Sequence, residues 1–433
     1  MLGEAGAAIL SGWDAQDEVP FGVEELFFSR TDKAGIIECG NAVFQRISQY
    51  SWDELIGKPH KIVRHPDMPR SAFWLLWEML KSGRPVGAYV KNRARDGRPY
   101  WVFAVALPVP GGYLSVRLKP TSDLFRAVQG EYAALSRREA AERLTPEASA
   151  AALLARLAEL GFPDYADFMA KALATELEAR AAQLGRSADA RQAVFRELVG
   201  PAAGVLERSQ AIARLYRRNQ HVSMNFRVLA AQAGREGAAL SVVSSNYSQI
   251  LDEAQQNVEA FLAAAERMRA AVTQGLFLAS AASLLNETAA IFRSEAGASA
   301  GGHDFLAESR AAEAAFSQGA AQGLSELIAS ARIFQQRCAE MNRLTAALEV
   351  TRIMGKVECA HHAAFRDGPT AGRHGLVGVP ADFDVGERIR RRQIDRRGVH
   401  AEGGKVVASG VDGERVEVPG IIAHGVYPAM CAV

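Results

Sequence analysis

The apolar and polar positions fall into three textures along the chain. From Glu24 to about Pro120, short apolar runs alternate with turn residues. Phe27-Phe28 and Ile36-Ile37 flank Thr31-Asp32-Lys33-Ala34-Gly35, a pattern that predicts a β-hairpin. Asn41 to Ser48 predicts a short helix with Val43, Phe44 and Ile47 inward. Ala88–Asn92 and Tyr100–Leu107 bracket Asp96-Gly97, a strong hairpin turn, and Gly112–Leu118 supplies a last strand. Two strands, helices and three further strands predict an α+β module with a five-stranded antiparallel sheet.

From about Asp123 to Gly355 the texture is alanine-rich helix with many Glu, Arg and Gln. One helical stretch is expected to about Gly161, where Pro163 interrupts, and another over Tyr165–Leu184. A break is expected near Gly200-Pro201. After it Ile212, Leu215, Asn219, Val222, Phe226, Leu229 and Ala233 alternate spacings of three and four, as a coiled-coil seam requires. Gly234 and Gly237 intervene, then Leu240, Val243, Tyr247, Ile250 and Ala254 resume the alternation, so an antiparallel helical hairpin is expected. A further helix is expected over about Phe305–Met354. The organisation read from this is a flexible leader at 1–22, a sensor module at 23–122, a helical linker region at 123–200, coiled-coil helices at 201–355, and an irregular tail at 356–433, poorly ordered or weakly β.

Composition narrows the function. In 433 residues, 50 Lys and Arg nearly balance 49 Asp and Glu, which argues against a nucleic-acid binder, whose surface is usually basic. Cys39, Cys338, Cys359 and Cys431 show no CxxC spacing, so neither a disulfide framework nor a zinc site is indicated. Cys359-Ala-His361-His362 lacks a fourth ligand at regular spacing. No run reaches the roughly 18 consecutive apolar residues of a membrane span. A cytoplasmic chain without a membrane span is expected. No nucleophile–base pair stands in a local context, so an enzyme is not expected.

The densest chemistry is Arg64-His65-Pro66-Asp67-Met68-Pro69-Arg70: a cation, an imidazole and a carboxylate stiffened by two prolines. Behind it, a helix carrying Phe73, Trp74 and Trp77 is expected to start with Ser71 as N-cap. A rigid polar bend beside aromatic rings suits one lip of a cofactor pocket. The same residues would equally serve as a structural turn with an internal ion pair, and the two tryptophans as core.

The front module resembles the PAS domain of bacterial aerotaxis receptors. The matching strings are Asn41-Ala-Val-Phe44, Tyr50-Ser-Trp-Asp-Glu-Leu55, Gly57-Lys-Pro-His60, Val63-Arg-His-Pro-Asp-Met-Pro69, Lys91-Asn-Arg93 and Tyr100-Trp-Val102. The resemblance implies a PAS domain that holds FAD non-covalently and reports oxygen or electron-transport status through flavin redox state. It makes Arg64, His65, Asp67, Asn92 and Trp101 flavin-site candidates, with Asn41, Phe73, Trp74 and Trp77 as supporting wall. Haem on His60 or His65 is the alternative cofactor, and a cofactor-free PAS dimerisation scaffold the alternative role.

The helical hairpin resembles the cytoplasmic signalling tip of methyl-accepting chemotaxis receptors through Asn225, Ala230-Ala231, Ala233-Gly234, Gly237 and Val242-Val243. Leu229 and Gln232 stand where that family has a glutamate and an arginine. Met341-Asn342-Arg-Leu344 with Glu349, Arg352 and Gly355 forms a second tip-like string. These resemblances imply a homodimer whose partners are a chemotaxis coupling protein and a histidine kinase.

Overall fold

Two turns set the register of the front sheet. Asp32 accepts hydrogen bonds from the Ala34 and Ile36 amides (2.8 and 2.9 Å), and Gly35 takes φ +79°, closing β1 (Phe27–Asp32) onto β2 (Ile37–Gly40). Gly97, at φ +95° after Asp96, closes β3 (Val86–Arg93) onto β4 (Pro99–Val109). With β5 (Gly112–Leu118) they form an antiparallel sheet in the order β2-β1-β5-β4-β3. The fold of this module is therefore the α+β arrangement that the sequence pattern predicts. The computed structural model describes residues 18–187, 189–218, 228, 231, 238–294, 304–361 and three strand segments, 399–402, 405–409 and 415–418.

Between β2 and β3 lie α1 (Ala42–Ser48), α2 (Trp52–Leu55), a 3-10 turn (His60–Val63) and α3 (Arg70–Lys81). Asn41 caps α1: its carbonyl accepts from Phe44 N and from Phe28 N (both 3.3 Å), while its amide donates to Leu26 O (3.2 Å). The start of α3 differs from the expected Ser71 cap. The helix begins one residue earlier, and its first amides, of Arg70 and Ser71, donate to the Glu139 carboxylate at 2.7 and 3.4 Å. Glu139 lies on α4 (Asp123–Glu142), so the cap comes from far along the chain, and it also takes the Ser149 hydroxyl of α5 (Pro146–Glu159).

The single helix expected to about Gly161 is two helices. Arg143 turns left-handed (φ +52°), then Thr145 caps α5 with Pro146 in its first turn. Next come α6 (Tyr165–Gln183), α7 (Ala190–Arg218), α8 (Ala238–Ser294) and α9 (Phe305–His361). Gly200-Pro201 does not break the chain but lies inside α7. Phe195 and Leu198 before it and Ala202 and Val205 after it are buried, and their packing offsets the roughly 3 kcal/mol cost of an internal proline.

The chain divides into two compact units: the described residues up to Leu198 with Val272–Gly323, and Val199–Ala271 with the chain from Leu324 on. In the first unit, strand alternation gives the sheet two unlike faces. Phe27, Ser29, Thr31, Asn92, Ala104, Tyr113, Ser115 and Arg117 point one way. Phe28, Arg30, Tyr89, Trp101 and Phe103 point the other, against helices. Tyr89 packs on Phe103 and Phe125 (4.8 and 5.6 Å between ring centres), and Phe28 on Phe305 and Phe292 (3.5 and 5.1 Å). Burying each such ring contributes about 1.5–3 kcal/mol. At Gly87 a Cβ would lie 2.9 Å from Phe103 and 3.2 Å from Phe277, so only glycine lets β3 and this part of α8 meet.

In the second unit the α8 segment runs antiparallel to the α7 and α9 segments, which run in the same direction as each other. Ala213 meets Val258 and Met341, whereas the later Tyr216 meets the earlier Tyr247 and Leu251, which pack on Leu348. Phe261 stacks on Phe334 at 4.3 Å. Val243, Tyr247 and Ala254 are buried as the heptad predicts, but Leu215 is 43% exposed, the seam passing through Ala213 and Tyr216 instead. Of the expected hairpin tip, 219–237, all but 228 and 231 lie outside the described residues, and so does the tail after 361 except for β6 (Val399–Glu402), β7 (Lys405–Ser409) and β8 (Arg415–Val418). Ser241–Arg293 is long and apolar enough to cross a bilayer by length and composition, with 67% of its most apolar window buried. Small residues averaged over a window give it that character, which a search for an unbroken apolar run overlooks.

Candidate functional site

The inner face of the sheet, α3 and the 3-10 turn line a half-open cavity of about 870 Å³, within the range of ligand pockets. Its walls follow from residue spacing. Phe73, Trp74 and Trp77 project from α3, while Val90, Ala104 and Ala106 form a floor whose small side chains leave the space open. The rim is cationic: Lys61, Arg64, Arg70 and Lys81 line it, against a single carboxylate, Glu78.

Two polar residues with little exposure face the cavity, one without a hydrogen-bond partner and one without a counter-ion among the described residues. Asn92 is 3% exposed, lines the cavity, and its side-chain amide has no hydrogen-bond partner among the described residues. Arg117 is 4% exposed and has no carboxylate partner among the described residues. Its Nη2 donates to His60 Nε2 at 2.8 Å, Nη1 donates to Ser115 O at 3.4 Å, and the guanidinium lies near the Phe27 and Phe44 rings (5.7 and 5.6 Å). A buried cation without an anion is costly, and burial pushes its pKa down to about 10.

His60 takes its tautomer from this contact. Arginine can only donate, so Nε2 carries the lone pair and the ring proton sits on Nδ1. The Ser29 hydroxyl lies 3.1 Å from the same nitrogen, and the ring stacks on Phe44. Burial, then the Arg117 charge, pushes the His60 pKa down to about 3, so the imidazole is neutral at physiological pH.

The residues singled out in the sequence separate into four places. Arg64, Asn92, Phe73, Trp74 and Trp77 line the cavity. Arg64 rests 4.0 Å over the Phe73 ring and pairs with Asn92 through a backbone bridge. Burial lowers its pKa, Glu139 opposing that shift. His65 and Asp67 instead stand at the sheet edge, where Asp67 accepts from Lys91 Nζ at 3.0 Å and its own backbone amide donates to His65 Nδ1 at 3.2 Å. The Lys91 hydrogen bond holds the Asp67 carboxyl below its usual range, and burial lowers the His65 pKa.

Trp101 and Asn41 require correction. Trp101 faces away from the cavity, edge-on to Phe125 and near Tyr132, because it is the odd neighbour of the inward-facing Tyr100 and Val102 in a period-two strand. Asn41 spends its amide on capping α1 and holding β1, outside the cavity. Conversely, no local motif marks Arg117 or Ser29 in the sequence. Tyr113-Leu-Ser115-Val-Arg117 alternates, which puts all three polar residues on one face, but alternation alone does not say that this face is the cavity.

Comparison with known proteins agrees with this architecture. A model of the PAS fold matches residues 39–113. The chain is 38% identical over 134 residues to the aerotaxis receptor of Escherichia coli, covering 30% of this chain and 26% of the receptor. It is 31% identical over 115 residues to the biofilm dispersion protein BdlA of Pseudomonas aeruginosa, covering 26% and 28%. The chain thus spans about a quarter of the length of these curated relatives. Among solved structures, the light-state LOV domain of Aureochrome1 is 19% identical (TM-score 0.22, 23% of this chain and 85% of that one). A PAS domain from Colwellia psychrerythraea is 20% identical (TM-score 0.20, 22% and 86%).

Proposed function

We propose that this chain, whose front module is a PAS domain of the kind found in aerotaxis receptors, is a cytoplasmic redox or oxygen sensor that holds FAD in the PAS cavity. The observation that carries this reading is an Asn92 amide without a hydrogen-bond partner and a buried Arg117 guanidinium without a carboxylate, among the described residues, both facing one aromatic-walled cavity. A bound flavin would supply reversible electron uptake. Asn92 has both a donor and an acceptor for the amide edge of a flat heterocycle. Arg117 would stabilise negative charge arriving in the cavity, and the cationic rim suits the phosphates of a dinucleotide. Phe73, Trp74 and Trp77 would flank the ring and exclude water.

Haem is less well served by these residues. His60 already accepts from Arg117 through Nε2, the cation beside it would oppose iron, and His65 stands outside the cavity. The relatives named above support a sensor feeding a signalling output, and not a turnover enzyme. On this reading the packed helices of the second unit are that output, in a homodimer that engages a chemotaxis coupling protein and a histidine kinase.

The test uses the purified chain incubated with FAD and desalted. Asn92→Ala is expected to retain FAD about tenfold less tightly, one buried hydrogen-bonded amide being worth about 1–2 kcal/mol, whereas Trp101→Phe leaves occupancy unchanged. Equal retention by wild type and Asn92→Ala removes Asn92 from the site. A Soret band in place of flavin absorption would favour haem.

A further inference from the structure

Strand β1 alternates between the cavity and the helices behind the sheet. Ser29 faces inward, its hydroxyl 3.1 Å from His60 Nε2, the atom that accepts from Arg117. Its two neighbours face outward. Phe28 stacks on Phe305 and meets Phe292, which is itself edge-on to Phe305 at 5.0 Å. Arg30 Nε donates to both carboxylate oxygens of Glu308, at 3.0 Å each, and the same guanidinium holds Glu38 of β2 and donates to Pro110 O at 2.7 Å. Three consecutive residues therefore tie the innermost polar cluster of the cavity to the first turn of α9.

We propose that this contact is a regulated latch: the Phe28–Arg30 face of β1 grips the first turn of α9, and negative charge arriving beside Arg117 loosens the grip. The inference rests on the reading of the cavity as a flavin site. When Arg117 turns toward an anion, His60 Nε2 loses the donor it shares with Ser29, and the Ser29 hydroxyl on β1 reorients toward that nitrogen. Strand pleat makes a shift of Ser29 a shift of Phe28 and Arg30 as well, because one backbone carries all three. Close-packed rings and a chelated guanidinium do not follow such a shift gradually, so the contact opens. The connection from β5 into α4 offers the covalent route out of the sheet. The latch is a second route, and it meets α9, which runs unbroken from Phe305 to His361.

Hydrogen–deuterium exchange of the full chain at residues 305–312, read with FAD bound before and after reduction by dithionite, tests this. Reduction is expected to speed exchange there about fivefold or more. Arg30→Ala is expected to exchange fast in both states with flavin content unchanged, and the swap Arg30→Glu with Glu308→Arg to recover protection. Unchanged exchange on reduction in a protein whose spectrum shows bound, reduced flavin overturns the latch, as does Arg30→Ala with wild-type protection. If the protein takes up no flavin, the cavity reading has failed separately. Ser29→Val in the flavin-free chain then decides the coupling: faster exchange at 305–312 supports it, and no change overturns it.

Discussion

Arg117→Met is expected to give a protein that is more stable when empty yet retains FAD at least tenfold less well. The two effects have one origin. Among the described residues Arg117 has no carboxylate partner, and its desolvation is met by His60, one carbonyl, two ring faces and the nearby Tyr100. An apolar side chain of similar length removes that cost, and replacing buried charge by packing is stabilising by about 1–3 kcal/mol. The same change removes the group that would answer negative charge in the cavity, a charge-assisted interaction of about 1.5–3 kcal/mol and hence about tenfold or more in affinity. A denaturant midpoint of the empty protein and a flavin titration read the two arms. A destabilised Arg117→Met with normal FAD retention would make Arg117 a structural residue.

Glu176→Ala is expected to produce the largest loss of stability in the front unit, about 3–5 kcal/mol, because one fully buried carboxylate satisfies four donors. Tyr89 OH donates to it at 2.8 Å, the Thr121 and Ser122 amides at 2.7 and 3.1 Å, and the Ser122 hydroxyl closes the set. Those amides immediately precede α4, whose N-cap is Ser122 itself, so Glu176 on α6 holds the turn that leads from the sheet into the helix while holding β3 through Tyr89. Alanine leaves the Tyr89 hydroxyl and the Ser122 amide buried without an acceptor, and removes the acceptor of the Thr121 amide and of the Ser122 hydroxyl proton. Chemical denaturation followed by tryptophan fluorescence checks the magnitude, since four of the five tryptophans, Trp52, Trp74, Trp77 and Trp101, lie in the front module. A loss below about 1 kcal/mol would mean that water replaces the carboxylate.

Local signals made the front sheet legible in the sequence. Asp32 with Gly35 and Asp96-Gly97 are turn chemistry written in adjacent residues, and each strand bears its own alternation. Arg64 and Asn92 reach one cavity because a Pro-stiffened bend and a hairpin strand pair through their backbones. What was not legible depended on distant parts of the chain. The cap of α3 comes from Glu139, some seventy positions away, so Ser71 next to the helix was the natural but mistaken choice. Trp101 had the right strand and the wrong face, since alternation fixes parity and only the packed helices fix which parity is inward. Gly200-Pro201 carried a breaker signal that buried neighbours on either side overrode. Arg117 carries no such local signal, because a strand arginine is ordinarily a surface residue and only the fold shows this one buried without a carboxylate among the described residues.

The absorption spectrum of the full chain freshly purified from cells, with the released small molecule identified by chromatography after denaturation, tests the central claim most directly. The account predicts the two-banded spectrum of oxidised flavin, bleached by dithionite and restored by air, and release of FAD in equal amount to the chain. A colourless protein that stays colourless after incubation with FAD would contradict it.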